Sequence, residues 1–361
     1  MILYFLIILL IIIFFVFLKR KTALLLSFII LSLMAGLRKY TVGVDTLQFY
    51  EAFNNIGQTN DWTFSEFRYE YGFSLLCKIL YIIFRNPQSL IFVTSIFINL
   101  SVYVFIKNNS KDYFLSTLLY VFLNYYFNYM NIMRQAIAIA IMLLFFKFLK
   151  NNNYLIYLLG IIIGFFFHKT ALMGLILIII KMLSRFKFLN TFIISMGAVS
   201  FLIYKEIFML GANILGDYYL AYINSEFADS NYFGSLLMFL QTFLIFISCG
   251  YLHYRTEKKD RLMNSSLLMT ISIVALCCLA LVMRMNIFNR ISSIFEIYLI
   301  IFVPNVLDNY KSPKGYIIKN RLLLCSNIKY FCIFLALLFF LGINLLRPEW
   351  YGVVPYEFFF M

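Results

Sequence analysis

The sequence predicts an all-α polytopic integral membrane protein, with about 12 transmembrane helices plus one outer-face amphipathic helix at 70–85. Three observations carry that reading. Of 361 residues, 63% are hydrophobic and only 13% are charged, against roughly a quarter charged in soluble domains. Apolar runs recur along the whole chain, most of them approaching the roughly 20 residues that one helical crossing needs. The 30 basic residues, set against 16 acidic ones, gather in short connectors between those runs, as expected when Lys and Arg stay on the cytoplasmic side. This composition excludes a soluble domain. It also excludes a disordered chain, which would be poor in Phe, Tyr and Ile. Topology accounts for the net charge of +14, so nucleic acid is not a partner. The six cysteines (Cys77, Cys249, Cys277, Cys278, Cys325 and Cys332) mostly lie within apolar runs and show no CxxC spacing. They predict neither a disulfide framework nor a zinc site.

The elements follow in order. Run 1–18 ends in Lys19-Arg20-Lys21. A secretory signal would carry its charges ahead of the run and a small-residue cleavage site after it, so this run is a first span whose N-terminus is outside. Run 22–37 returns outward and delivers the polar loop 38–69. The most basic connectors are 255–261 (Arg255, Lys258, Lys259, Arg261) and 308–329 (Lys311, Lys314, Lys319, Arg321, Lys329), and both are placed in the cytoplasm. Counting back from them gives spans near 327–346, 290–307, 264–284, 235–254, 188–204, 171–184, 154–167, 134–149 and 113–129, with Lys107 and Asp112 inside. The runs 154–167 and 171–184 are short enough for broken or tilted helices.

An odd number of crossings must separate the outer loop from Lys107, yet two apolar runs, 71–84 and 88–106, lie between them. Run 71–84 is the shorter. Glu70, Ser74 and Lys78 recur every four residues in it, with Arg85 beyond, making one polar stripe. It is therefore assigned to an amphipathic helix in the outer interface. The chain 1–361 then forms a single transmembrane domain, with outer loops 38–87 and 205–234, an outer C-terminal tail 347–361 and both termini outside.

Polar residues in or beside membrane spans are costly and therefore informative. Arg38 and Asp45 flank Gly43, just outside the second span. They read as a solvated loop with an anchoring Arg, or as a cation beside a carboxylate at a cavity mouth. Glu70 opens the amphipathic helix, where it either caps a helix dipole or serves as a second acid facing Asp45. Arg134 begins a span with no further charge in its next twelve residues. It either snorkels or holds a phosphate or diphosphate. His168 sits at a turn between two very apolar runs, where it is structural or transfers protons. Arg284 and Arg290 bracket 285–289 at an outer mouth, with Glu296 further along the next span. These seven residues (Arg38, Asp45, Glu70, Arg134, His168, Arg284 and Arg290) all fall on the outer side of one topology. A water-accessible anion site at the outer leaflet would gather them. A transporter would instead place polar groups at the bilayer midplane, and the middle of these spans is nearly free of charge.

At these residues the chain resembles the EpsG family of Wzy-like polysaccharide polymerases. The matching pieces run in order from Arg38…Val42-Gly43-Val44-Asp45-Thr46…Tyr50 through Glu70-Tyr71-Gly72 and Met133-Arg134-Gln135-Ala136-Ile137-Ala138. They continue with Phe166-Phe167-His168-Lys169-Thr170-Ala171-Leu172, Phe288-Asn289-Arg290-Ile291-Ser292 and Val354-Pro355-Tyr356. Lys169 departs from the pattern, because family members often carry a small residue after the His.

The resemblance implies a membrane glycosyltransferase of the bacterial plasma (inner) membrane, serving O-antigen, capsule or exopolysaccharide synthesis. It would transfer a glycan from undecaprenyl diphosphate to a hydroxyl of another lipid-linked repeat unit at the outer leaflet. Arg134 and Arg290 would clamp the diphosphate, with Arg38 or Arg284 assisting. Asp45, Glu70 and His168 would be the candidate general bases, in that order. Trp62, Tyr69 and Tyr71 would pack on sugar faces or anchor the interface. No cofactor is implied, and a divalent metal is compatible but not demanded by any ligand cluster. The partners would be the undecaprenyl-diphosphate-linked oligosaccharide, membrane lipid, and chain-length regulator and flippase proteins. Rival readings are a lipid-linked oligosaccharide flippase and a membrane O-acyltransferase with His168 as base.

The topology is testable. With native cysteines accounted for, Asn108→Cys is expected to resist an impermeant thiol reagent applied from outside. Labelling there would mean that run 71–84 crosses the membrane.

Overall fold

The computed structural model describes residues 1–215, 232–256, 263–311 and 319–360. Among them every regular element is helical, and the only extended pairing is a single antiparallel bridge between Arg38 and Phe358. Four helices are long and apolar enough to cross a membrane: Gln88–Asn109, Tyr232–Arg255, Ser265–Val282 and Asn320–Leu346. Two bent pairs, Leu189–Leu202 with Tyr204–Gly211 (88°) and Asn286–Glu296 with Leu299–Lys311 (41°), raise the number to six if each pair is one span. This is a polytopic all-helical membrane protein. Ile2–Phe17, Tyr71–Phe84, Tyr113–Phe122 and Tyr154–Phe165 are apolar but shorter.

The chain divides into two compact units, Met1–Leu175 with Ala336–Met361, and Ile176–Leu335. The first unit opens with α1 (Ile2–Phe17) and α2 (Arg20–Gly36), followed by α3 (Thr46–Gln58), α4 (Tyr71–Phe84) and α5 (Gln88–Asn109). Next come α6 (Tyr113–Phe122), α7 (Tyr125–Asn131), α8 (Met133–Lys150) and α9 (Tyr154–Phe165). Helix α2 packs on α1 and α5, α5 on α8, and α8 on α9. Their facing residues make a core that includes Leu24, Phe28, Leu31, Val102, Phe105, Ala136 and Phe146, each at most 2% exposed.

Three expectations need correction here. The polar loop 38–69 contains α3, whose residues Phe49, Ala52, Phe53, Ile56 and Gly57 are buried at helical spacing. That face packs on α4, with the Phe49 and Phe73 rings 5.7 Å apart. The stripe on α4 consequently does not face water. Ser74 and Lys78 are buried, while Ile79, Ile82, Ile83 and Phe84 are exposed. Lys78 turns inward because α3 ends in front of it: its Nζ donates to the carbonyls of Gly57 (2.8 Å) and Thr59 (2.6 Å), satisfying acceptors at a helix terminus. Finally, the run 113–129 is two helices. Asn124, at φ 61°, takes the left-handed conformation that Asn tolerates, and its Oδ1 accepts a hydrogen bond from Asn344 at 2.9 Å.

The last residues of the chain form a strap over this unit. The Lys39 N–H donates to Glu357 O at 3.0 Å and the Phe359 N–H to Leu37 O at 2.9 Å. The Tyr4 hydroxyl donates to Val353 O (3.0 Å) and that of Tyr356 to Met34 O (2.8 Å). Lys39 pairs with Glu357 at 3.2 Å. Hydrogen bonds from Lys39 and Thr41 hold the Glu357 carboxyl below the ordinary carboxylate range.

The run expected at 171–184 begins as a 3₁₀ turn, Lys169–Met173, and continues as the nine-residue α10 (Gly174–Met182), which lies across the boundary between the units. The second unit holds α11 (Leu189–Leu202), α12 (Tyr204–Leu215), α13 (Tyr232–Arg255) and α14 (Met263–Val282). It continues with α15 (Asn289–Glu296), α16 (Leu299–Lys311) and most of α17 (Lys319–Leu346). Helix α14 contacts α11, α13, α15 and α16, and residues 299–307 of α16 are wholly buried. Pro304 lies inside α16. Helix α12 takes up the first part of the loop expected at 205–234. Residues 216–231 lie outside the described residues, as do Lys258, Lys259, Arg261 and Lys314.

Replacing Lys78 by Met should leave two carbonyls at the end of α3 without their donor and destabilise that junction by about 1–3 kcal/mol. Faster amide exchange across 57–63, with α5 unchanged, is the expected readout.

Candidate functional site

Three of the sequence motifs meet in the first unit. Glu70 is the N-cap residue of α4, and Arg134 is the second residue of α8. The Arg134 Nη1 donates to Glu70 Oε2 in a salt bridge whose side chains retain 21% and 12% exposure respectively. The same guanidinium lies over the Tyr69 ring, 4.9 Å from its centroid. Arg68 lies against that ring too, at 5.3 Å, and donates to Gln48 Oε1 at 3.1 Å. The other Glu70 oxygen accepts the Lys169 N–H at 3.4 Å. That contact needs only a backbone donor, so Lys169 fills it as well as a small residue would. Beside it, the Gly72 N–H donates to Phe166 O at 2.8 Å. A Cβ on Gly72 would stand 2.7 Å from that oxygen, so this close approach of two backbones requires glycine.

Asp45 stands two residues beyond Gly43, whose φ of 99° and N–H bond to Gly352 O (2.8 Å) shape the turn. A Cβ on Gly43 would lie 3.0 Å from Asn131 Oδ1. Asn131 in turn donates to Tyr351 O at 2.9 Å. The half-buried Asp45 therefore opens α3 from a turn propped by Asn131, three residues before Arg134. His168 is 4% exposed. Its Nδ1 accepts the Thr170 N–H at 3.3 Å and lies 2.7 Å from Thr170 Oγ1, capping the 3₁₀ turn. With Nδ1 as acceptor, the neutral ring carries its proton on Nε2, an arrangement that suits a cap better than a base.

Arg38 is corrected by its surroundings. It is 1% exposed. Its Nη1 donates to Ala35 O and to Ser95 Oγ (3.2 Å), and its Nη2 to Met130 O at 2.9 Å. Burial pushes its pKa down to about 10, which leaves it cationic at neutral pH. It joins α2, α5 and α7 from within, and an enclosed guanidinium with these partners is not presented to a lipid diphosphate.

Arg284 and Arg290 belong to the second unit. The exposed Arg284 lies over the rings of Phe201 (4.7 Å) and Tyr204 (5.0 Å) at the corner between α11 and α12. Arg290 is half-buried in the first turn of α15. Among the described residues no group of three or more His, Cys, Asp or Glu side chains is placed to hold a metal ion.

A family model matches residues 21–358, nearly the whole chain, and its description reads EpsG family. The chain belongs to the EpsG family. EpsG proteins are Wzy-like polymerases, which makes this chain a membrane protein of polysaccharide biosynthesis. No curated protein and no solved structure matches it. Within this EpsG chain, sequence reasoning missed the part played by Arg68 and Asn131. The signal for Arg68 was its place in Arg68-Tyr69-Glu70, where base, aromatic ring and acid are consecutive and directly precede the motif Glu70-Tyr71-Gly72. Asn131, by contrast, carried no signal beyond its nearness to Arg134.

Gly72→Ala should force α4 away from the Phe166 carbonyl and misplace Glu70. Chain growth is expected to fall by roughly 100-fold, as when a reacting group is misplaced by about 1 Å, while the protein still inserts in the membrane at normal amounts.

Proposed function

We propose that this EpsG chain is a polymerase of the plasma membrane that transfers a growing glycan from undecaprenyl diphosphate to a sugar hydroxyl of another lipid-linked repeat unit, on the outer leaflet. The observation that carries the proposal is the Glu70–Arg134 pair against Tyr69, a guanidinium, a carboxylate and an aromatic ring held together by three separate family motifs in an otherwise apolar bundle. Glycosyl transfer from a lipid diphosphate asks for those residue types. The bond from the anomeric carbon to the diphosphate oxygen breaks with its electron pair on the leaving group, and a guanidinium stabilises that developing charge. The attacking hydroxyl loses a proton to a base. Arg134 is the clamp residue of the first unit, and Arg290 and Arg284 are the second unit's own candidates for a diphosphate. Glu70 and Asp45 are the carboxylates for the base, and His168 positions the turn that meets Glu70. A nucleotide sugar is not needed, because the donor arrives already activated on its lipid.

In this reading both termini face outside and the spans number twelve, with α4 lying in the outer interface and the other shorter apolar helices counting as crossings. The undecaprenyl-linked repeat is the substrate, and the chain-length regulator and flippase are neighbours.

Arg134→Ala and Arg290→Ala should each lower chain growth by roughly 100-fold or more, with lipid-linked single repeats accumulating in cells. Long polymer made at normal levels by inserted variants would remove the diphosphate clamp from the account. Formation of polymer by the purified protein from a defined lipid-linked repeat would separate this activity from flipping or acyl transfer.

A further inference from the structure

Resting on the lipid-diphosphate reading above, we propose that Glu70 occupies, in the unloaded enzyme, the seat on Arg134 that the donor's diphosphate takes, with Arg68 as a second guanidinium on the same Tyr69 ring, so that donor binding is an exchange of one anion for another.

Several observations converge on this exchange. Two guanidiniums lie against one aromatic ring, at 4.9 and 5.3 Å from its centroid. Both are cation–π contacts, and Arg68 Nη2 also donates to the Tyr69 hydroxyl at 3.4 Å. Among the described residues Glu70 is the one carboxylate paired with Arg134, and it accepts from Nη1, one of the donors that a phosphate would use. Both members of the pair remain open enough to exchange, with 21% and 12% of their side chains exposed. Helix α4, in contrast, does not need to move. The Gly72–Phe166 hydrogen bond holds its first turn, so a rotation of the Glu70 side chain vacates the seat.

Charge decides the direction of the exchange. A carboxylate offers one negative charge to Arg134 alone, whereas a diphosphate offers more than one and can reach Arg68 as well. Until the donor arrives, Glu70 neutralises Arg134 and lowers its pull on singly charged phospholipid headgroups. Once displaced, Glu70 is free of its guanidinium beside the bound donor, which is when a general base is called for. The sequence Arg68-Tyr69-Glu70 would therefore hold a clamp residue, the platform and the displaceable counter-ion in three consecutive positions.

The test uses the full chain in phosphatidylcholine nanodiscs and equilibrium binding of radiolabelled undecaprenyl diphosphate. Glu70→Gln should bind it about 10-fold more tightly than wild type, a change of about 1.4 kcal/mol, and Glu70→Ala should shift in the same direction. Arg68→Gln should weaken binding about 5-fold, and Arg134→Gln should weaken it more. Thermal unfolding without ligand establishes that each variant is folded. Unchanged or weaker binding by both Glu70 variants would overturn the exchange, since Glu70 would then be orienting Arg134 for its ligand. Displacement of the diphosphate by added phosphatidylglycerol to the same extent as by inorganic pyrophosphate would also overturn it, in favour of a general seat for anionic headgroups. If wild type polymerises a lipid-linked repeat and binds the diphosphate but the Glu70 variants are not tighter, the exchange alone falls. If wild type does neither, the polymerase reading falls with it.

Discussion

Broken helices inside an apolar bundle leave backbone carbonyls and N–H groups that nothing in hydrocarbon can satisfy, and several of the polar side chains in the first unit are committed to that need. Gln88 donates to the carbonyls of Gly36 and Arg38 at the end of α2. Arg38 closes Ala35 and Met130. Lys78 closes the end of α3, Asn131 reaches Tyr351, and Asn344 holds the break at Asn124. Each of these would look, by residue type alone, like part of a site. Each is instead engaged with backbone or with another buried amide. The C-terminal strap extends the same logic, since its carbonyls receive the hydroxyl of Tyr4 and the N–H groups of Lys39 and Gly43.

That commitment sharpens what remains. Once the side chains that serve helix ends are set aside, the first unit keeps, among the described residues, one part-buried cluster in which a carboxylate meets a guanidinium, since the Arg347–Glu349 pair is exposed. It lies where the helix starts of α4 and α8 come together with the turn at Phe166–Lys169. Its parts are positioned by packing that does not involve the charges: Gly72 against Phe166, Phe73 against Phe49 and Tyr69, and Asn131 against the Gly43 turn. In the second unit Arg284 has a different environment, a corner of two aromatic rings that supports its charge through their quadrupoles. The corner itself follows from the 88° bend between α11 and α12.

Much of the fold was legible because the bilayer imposes a coarse code. Apolar runs marked most helices, and connectors rich in Lys and Arg marked their ends. What escaped the code was helical structure without long apolar runs. The buried residues of α3 recur at helical spacing, but its exposed face carries Gln48, Glu51 and Asn55 and reads as loop. The polar stripe of α4 was visible, yet not its direction, because a stripe buried against a neighbour and one facing water have the same period. The site was partly legible for a related reason. Glu70, Arg134 and the turn at His168 stood out as charges beside apolar runs, and they do meet. Arg38 stood out equally and is enclosed, since sequence cannot say whether an arginine near a helix end faces carbonyls or a ligand. Arg68 was overlooked as one more cation in a polar loop, although it directly precedes Tyr69-Glu70 and shares the Tyr69 ring with Arg134.

The strength of the Glu70–Arg134 pair sets what it can do. Two unit charges at contact distance attract by about 1 kcal/mol in water and about 4 kcal/mol at the effective dielectric of a protein surface. Fully exposed pairs fall toward zero once ordering and screening are counted, and fully buried ones are destabilised by desolvation when either partner is lost. With 21% and 12% of its side chains open, this pair lies between those limits. It is strong enough to hold Arg134 over Tyr69, and it is weak enough for an anion with more charge to replace the carboxylate. A deeper site would bind its internal counter-ion too firmly to release it. A shallower one would be screened by salt and occupied by bulk headgroups.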